Sequence, residues 1–181
     1  METAYIDKHT DLVKGCKQGN RKAQFEIYKL YAKAMYNVTL RIVNDEAEAQ
    51  DVIQEAFLDA FTRIESFREE TTFGLWLKQI VINKSITQLR KRKVEFVSLD
   101  QVDVAEKYQE EDEDNGLVIK EIKEAMEKLP DGYRVVISLY LFEGYDHEEI
   151  SHILKISENT SRTQYMRAKN KLRGLLEKRG A

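Results

Sequence analysis

The sequence predicts an all-α protein: two small helical domains, a helical bundle and a helix-turn-helix unit, joined by a flexible acidic linker. Three observations carry the fold class. Only one Pro and 8 Gly occur in 181 residues, a shortage that disfavours a turn-rich β architecture. Long stretches consist of Ala, Leu, Glu, Lys, Gln and Ile, residues that favour helices. Residues 99–119 hold eight acids (Asp100, Asp103, Glu106, Glu110, Glu111, Asp112, Glu113, Asp114) against Lys107 alone. A segment so charged has little to bury.

The elements follow from periodicity. From Lys22 to Val43, the residues Phe25, Tyr28, Leu30, Tyr31, Met35, Tyr36 and Leu40 are spaced to wrap one broad helix face. Asn44-Asp45 punctuates that helix and can cap the next. The next runs over 45–66, with Ile53, Phe57, Ala60, Phe61 and Ile64 as a buried stripe. The polar stretch 68–72 breaks the pattern. A helix from about Phe73 to Lys91 then buries Trp76, Leu77, Ile80 and Val81. These segments make a first domain over 1–94, followed by the linker over 95–116. The second domain, 117–181, starts with an amphipathic helix carrying Ile119, Ile122, Ala125, Met126 and Leu129. Pro130 ends it and suits the first turn of the next helix, which Gly144 closes. Then come HEEISHIL, a break at Lys155-Ile156-Ser157, and a long helix from Glu158 to about Glu177. Two helices separated by three or four residues, the second strongly basic, form a helix-turn-helix pattern.

Three constellations stand out in charge and spacing. Outside residues 99–119 the chain holds 28 basic and 24 acidic residues, so the net charge of -3 hides a segregated distribution. From Arg162 onward there are seven basic residues and one acid. Ser157 can cap that helix, and Tyr165, Ala168, Leu172 and Leu175 can face inward. Such a helix can lie in a major groove; periodicity and charge alone fit a solvated bundle helix equally well. Arg90-Lys91-Arg92-Lys93 ends a helix bearing Asn83, Lys84, Thr87 and Gln88. Four successive cations suit a phosphate-contacting terminus or simply a solubilising helix end. Glu48, Asp51, Glu55 and Asp59, with Gln54 beside them, line one face of the 45–66 helix. That face is either solvated or a docking surface for a basic partner.

Together these segments resemble the sigma-70 family of RNA polymerase sigma factors, in the extracytoplasmic-function (ECF) group that keeps only regions 2 and 4. DEAEAQDVIQEAFLDAF (45–61) is similar to the region 2 helix that binds the β′ clamp of the polymerase. FREETTFGLWLKQIVINKSITQLRKRK (67–93) resembles the promoter-melting, minus-ten-reading segment. The segment 129–176 is similar to the region 4 helix-turn-helix. The resemblance implies core-polymerase contacts at Glu48, Asp51, Gln54 and Glu55, and minus-ten contacts at Thr71, Thr72, Phe73, Asn83, Lys84, Arg90, Lys91 and Arg92. It implies minus-thirty-five contacts at Ser157, Thr160, Arg162, Thr163, Gln164, Met166, Arg167 and Lys169. Phe73 with Thr71-Thr72 falls where the family holds a flipped base, chemistry that suits an aromatic or polar pocket. The implied partners are core RNA polymerase through its β′ clamp and β flap, promoter DNA, and an anti-sigma factor. The turn glycine usual in the family is Lys155 here, the common Ala of the preceding helix is Ser151, and the usual Val of the recognition helix is Ser161.

Other classes fit less of the chain. A conventional helix-turn-helix regulator has no need of both the DVIQEAF stripe and the FGLWL…NKS…RKRK segment, and a helical adaptor needs no cationic recognition helix. His9, His147 and His152 are scattered and Cys16 stands alone, so no catalytic set, metal or other cofactor is expected. The N-terminus lacks an apolar run of signal-peptide length and no segment approaches a membrane span. A cytoplasmic protein without membrane insertion, on the nucleoid when in holoenzyme, is the expectation.

Overall fold

The computed structural model describes residues 9–92 and 115–177, all of whose regular structure is helical. The acidic stretch expected as a linker lies outside the described residues. The chain divides into two compact units, residues 1–93 and 94–181.

The first unit contains α1 (Thr10–Lys17), α2 (Arg21–Val43), α3 (Glu46–Thr62), a short 3-10 turn (Ile64–Ser66) and α4 (Phe73–Lys91). Its helix ends are written in local chemistry. Asn20 caps α2 by accepting from the amides of Lys22 at 2.9 Å and Ala23 at 3.3 Å. Asn44 then turns the chain in a left-handed conformation (φ 56°), which Asn tolerates better than most side chains. Asp45 caps α3 at the Glu48 amide, 2.9 Å away, so two residues suffice to reverse direction. Thr72 caps α4 at the amide of Leu75.

Helices α2, α3 and α4 pack on one another pairwise, and α1 lies on α2. Ile27, Ile42 and Val43 of α2, Ala49, Ala56 and Ala60 of α3, and Phe73, Leu77, Val81 and Leu89 of α4 are wholly buried. At Gly15 a Cβ would stand 2.8 Å from the Cβ of Ala23, so α1 approaches α2 as closely as it does only with glycine there. The expected apolar face of α2 is corrected by this packing. Phe25, Tyr28 and Leu30 are exposed, while Ile27, Met35, Val38 and Ile42 point inward. Trp76 is half-buried rather than buried.

The second unit contains α5 (Asn115–Glu127), α6 (Asp131–Leu141), α7 (His147–Leu154) and α8 (Glu158–Glu177). Helix α8 is the hub, with α5, α6 and α7 all packed on it. Met126, Leu129, Ile137 and Ala168 form a core cluster against which Tyr165, Leu172 and Leu175 pack. Pro130 stands at the position just before the first turn of α6 rather than within it. Arg134, 2% exposed, is tolerated inside because it donates to the Leu129 carbonyl at 2.9 Å and pairs with Asp131.

The turn between α7 and α8 places the helix-turn-helix. Helix α7 begins with a capping box: the Glu149 amide donates to Asp146 at 2.8 Å and the Asp146 amide to Glu149 at 2.9 Å. It ends at Lys155, which adopts φ 56°, ψ 48°. Ser157 then accepts from the Thr160 amide at 3.0 Å and starts α8. A lysine bears the left-handed turn at a cost of roughly 1 kcal/mol. Lys155→Gly should therefore raise the stability of the second unit by up to about 1 kcal/mol, read by chemical denaturation of the full chain followed by circular dichroism. No gain would show that the lysine side chain offsets the strain.

Candidate functional site

Three surfaces carry the candidate residues. On α3, Asp51, Gln54 and Glu55 are exposed, as helical spacing requires of residues three and four apart. Leu58 joins them one turn on and is 69% exposed, so this acidic face has an apolar member. Asp51 and Glu55 make no ion pair with any described residue. The other two acids of the expected stripe are occupied. Glu48 pairs with Arg92, whose Nε donates at 2.9 Å. Asp59 pairs with Arg63 at 2.7 Å and lies 3.7 Å from the ammonium of Lys84. Beside the stripe, Tyr28, Tyr36, Gln50 and Gln54 wall a groove between α2 and α3 with Ile53 at its base.

The second surface comprises the segment 67–72 and the outer side of α4. Arg68, Glu69, Glu70 and Thr71 are exposed and Thr72 is half-buried. Phe73 is wholly buried, its ring centroid 5.6 Å from those of Tyr31 and Phe67 and 5.5 Å from that of Trp76. The rotation of α4 that buries Leu77 and Val81 carries Phe73 inward with them, since positions i, i+4 and i+8 share a side. Asn83, Arg90 and Lys91 are exposed, and Lys84 is half-buried beside Asp59. Arg92 is less available than its neighbours, because its Nη1 also donates to the Val43 carbonyl at 3.0 Å. Leu75 and Gln79 continue the Asn83 and Thr87 line at four-residue steps and are exposed. They were absent from the expected set, although stepping back from Asn83 would have found them.

The third surface is α8. Arg162, Met166 and Lys169 are exposed, Met166 at 64%. Thr160, Thr163 and Arg167 are half-buried, and Ser157 and Thr160 bond each other at 2.8 Å through their hydroxyls. Gln164 lies on the inner side of α8. It is 5% exposed, on the inward stripe with Ser161 and Ala168, and its Oε1 accepts no hydrogen bond from the described residues. Asn159, in the first turn of α8, is also exposed.

Behind α8, His147 joins three helices. Its Nδ1 lies 2.9 Å from the Ser161 hydroxyl, and its ring stacks on Tyr140 at 4.7 Å with Tyr165 at 5.6 Å. Burial, then the Arg162 guanidinium, lower its pKa, with Glu158 and Asp146 opposing. Burial likewise raises the Tyr165 phenol. Among the described residues no group of His, Cys, Asp and Glu could hold a metal ion, and no helix is long and apolar enough to cross a membrane.

The matches to known proteins cover parts of both units. The family model for sigma-70 region 2 matches residues 27–95, which span α2 to α4, and that for sigma-70 region 4 matches 119–172, from α5 into α8. The chain is 31% identical over 153 residues to the ECF RNA polymerase sigma factor SigM of Bacillus subtilis, covering 83% of this chain and 93% of that protein. The chain belongs to the ECF group of the sigma-70 family. It is also 31% identical over 173 residues to SigW of the same organism, covering 89% of this chain and 92% of SigW. In fold it is similar to RpoE of Bartonella quintana in complex with the anti-sigma factor NepR, with a TM-score of 0.58, 24% identity, and coverage of 84% of this chain and 95% of that one. CnrH in complex with the cytosolic domain of CnrY gives a TM-score of 0.55 at 22% identity, covering 92% and 95%.

The protein is thus an RNA polymerase sigma factor, a transcription initiation factor that directs polymerase to promoters. For this sigma factor the packing behind α8 carries a pH dependence. A His whose folded pKa lies below its ordinary value, near 6.5, stays neutral in the folded protein while the unfolded chain takes up a proton. The stability it contributes is complete above that value and is lost as pH falls through it toward the folded pKa. The thermal midpoint of the second unit should fall as pH drops below about 6.5, and His147→Gln should flatten that fall. An unchanged slope in the variant would assign the pH dependence to other groups.

Proposed function

We propose a division of labour between the two units. Residues 1–94 act as sigma region 2 and 117–181 as region 4, with 95–116 as the connection. Asp51, Gln54 and Glu55, with Leu58 as an apolar anchor, dock on the β′ clamp. Thr71, Thr72 and the outer side of α4, including Asn83, Arg90 and Lys91, hold the unpaired minus-ten strand. Arg162, Thr163, Met166, Arg167 and Lys169 meet the minus-thirty-five duplex. Phe73 supports the minus-ten segment from beneath, and Gln164 supports α8 from behind.

The observation that carries this reading is that the first unit exposes two kinds of charged surface. The acids without ion-pair partners, Asp51 and Glu55, are exposed on α3 beside Leu58, while Arg90 and Lys91 are exposed at the end of α4. Phosphate contacts need cations, and acids would repel a DNA backbone. The two faces therefore suit two different partners at once. Exposed Leu141 and Phe142 at the end of α6 offer the second unit an apolar contact for the β flap.

The chain itself contributes affinity, placement and strand capture; the chemistry of RNA synthesis belongs to the polymerase. Its place of work is the cytoplasm, on the nucleoid in holoenzyme. Because the solved structures it resembles include the sigma factor RpoE held by the anti-sigma factor NepR, an anti-sigma partner covering the α3 face or α8 is part of the proposal.

Reconstitution tests the reading. Core polymerase with this chain, on fragmented bacterial genomic DNA, should yield transcript starts that share two upstream motifs. Asp51→Lys with Glu55→Lys should abolish them by weakening core binding 100-fold or more, roughly the 2–5 kcal/mol expected of charge reversal at an interface. DNA binding by the chain alone with no new starts would favour a conventional regulator.

A further inference from the structure

We propose that Lys17 is a positioning residue for capture of the unpaired promoter strand, acting through the segment between the 3-10 turn and α4. The inference rests on the reading that this segment holds the minus-ten strand. Lys17 is the last residue of α1, remote in sequence from the segment it touches. Its ammonium donates to the Phe67 carbonyl at 3.2 Å and to the Glu69 carboxylate at 2.9 Å, and stands 5.7 Å from the centre of the Phe67 ring. One cation thus grips a backbone carbonyl, a side chain and an aromatic face, all within three residues of the same loop. The side chain is 24% exposed against 50% for Glu69, so the contact is made from the protein side outward.

What Lys17 holds is strained. Glu69 adopts φ 61°, a left-handed conformation that costs a non-glycine residue free energy and persists only where its surroundings over-determine it. Anchors stand on either side of it. Lys17 fixes Phe67 and Glu69, and Thr72 is fixed by its cap on the Leu75 amide. The exposed residues between the anchors, Glu70 and Thr71, are presented by a backbone that would otherwise relax. The ion pair also offsets the charge of Glu69, which would repel a phosphate strand lying along the loop. A partly exposed ion pair adds little to stability, and the same contact can have a large effect on geometry where a base must be met closely.

The test uses holoenzyme assembled from the full chain. Binding of a fluorescent single-stranded oligonucleotide, carrying the non-template minus-ten strand of a promoter mapped by the transcription experiment, is measured alongside core affinity and thermal midpoint. Lys17→Met should weaken strand binding about tenfold with core affinity and midpoint unchanged. Lys17→Arg, which keeps a cationic N–H donor, should restore most of it, and Glu69→Gln, which keeps the Phe67 contact, should lose less than Lys17→Met. Undiminished strand binding by Lys17→Met, or equal loss of core affinity or midpoint, would overturn the proposal. Thr71→Ala and Asn83→Ala separate the two levels. If they also bind the strand as the parent does, the strand-holding reading fails and takes the proposal with it. If they lose binding while Lys17→Met does not, only the role of Lys17 falls.

Discussion

The rotational setting of α4 between α2 and α3 governs the first unit. Leu77, Val81 and Leu89 have no exposed surface, and Phe73 shares their side of the helix. Once that side is committed to the core, Leu75, Gln79, Asn83 and Arg90 must face outward. Burial of four such side chains contributes on the order of 6–12 kcal/mol, so no surface preference of the polar residues could turn the helix. The same packing brings the cationic end of α4 against the start of α3. The aromatic cluster of Tyr31, Phe67, Phe73 and Trp76 then forms a rigid base beneath the segment preceding α4.

Electrostatic pairing trims what these faces can offer. Of the four acids that form the stripe on α3, Glu48 is claimed by Arg92 and Asp59 by Arg63 and Lys84. Arg92 further ties the end of α4 to the end of α2 through the Val43 carbonyl. A guanidinium bound to a carboxylate and a carbonyl at once is well suited to hold two helix ends together. Glu48 and Arg92 therefore serve the architecture in the free chain. The uncompensated charge is concentrated on Asp51 and Glu55, where a basic partner would find it without first breaking a pair.

In the second unit, specificity and stability meet in one helix. Helix α8 supplies the hub of the core and the exposed cationic surface, so its register decides which residues serve each. Ser161, Gln164 and Ala168 face the interior, and Arg162, Met166 and Lys169 face out. The His147 ring, between Tyr140 and Tyr165 and bonded to Ser161, holds this register from behind. A serine where the family has valine is thereby given a partner. The left-handed turn at Lys155, together with the Asp146 and Ser157 caps, fixes the ends.

The sequence by itself determined most of the helices, several of their ends and the family, though α3 stops at Thr62 rather than running to residue 66. Caps, turns and apolar spacing are local, and local chemistry is legible along a chain: Asn44-Asp45, Thr72-Phe73, Pro130-Asp131 and Ser157-Glu158 all mark real boundaries. The motifs that resembled sigma regions 2 and 4 were legible for the same reason. Tertiary structure alone decided which way each helix is turned. Phe25 and Leu30 of α2 looked like core and are exposed; Phe73 and Gln164 looked like contacts and are buried. Hydrophobic pattern specifies a face only to within a residue or two when apolar side chains surround a helix, and neighbouring helices settle the rest. Pairings such as Glu48 with Arg92 or Lys17 with Glu69 join residues far apart in sequence. No spacing rule reaches them, because only folding brings those charges within bonding distance.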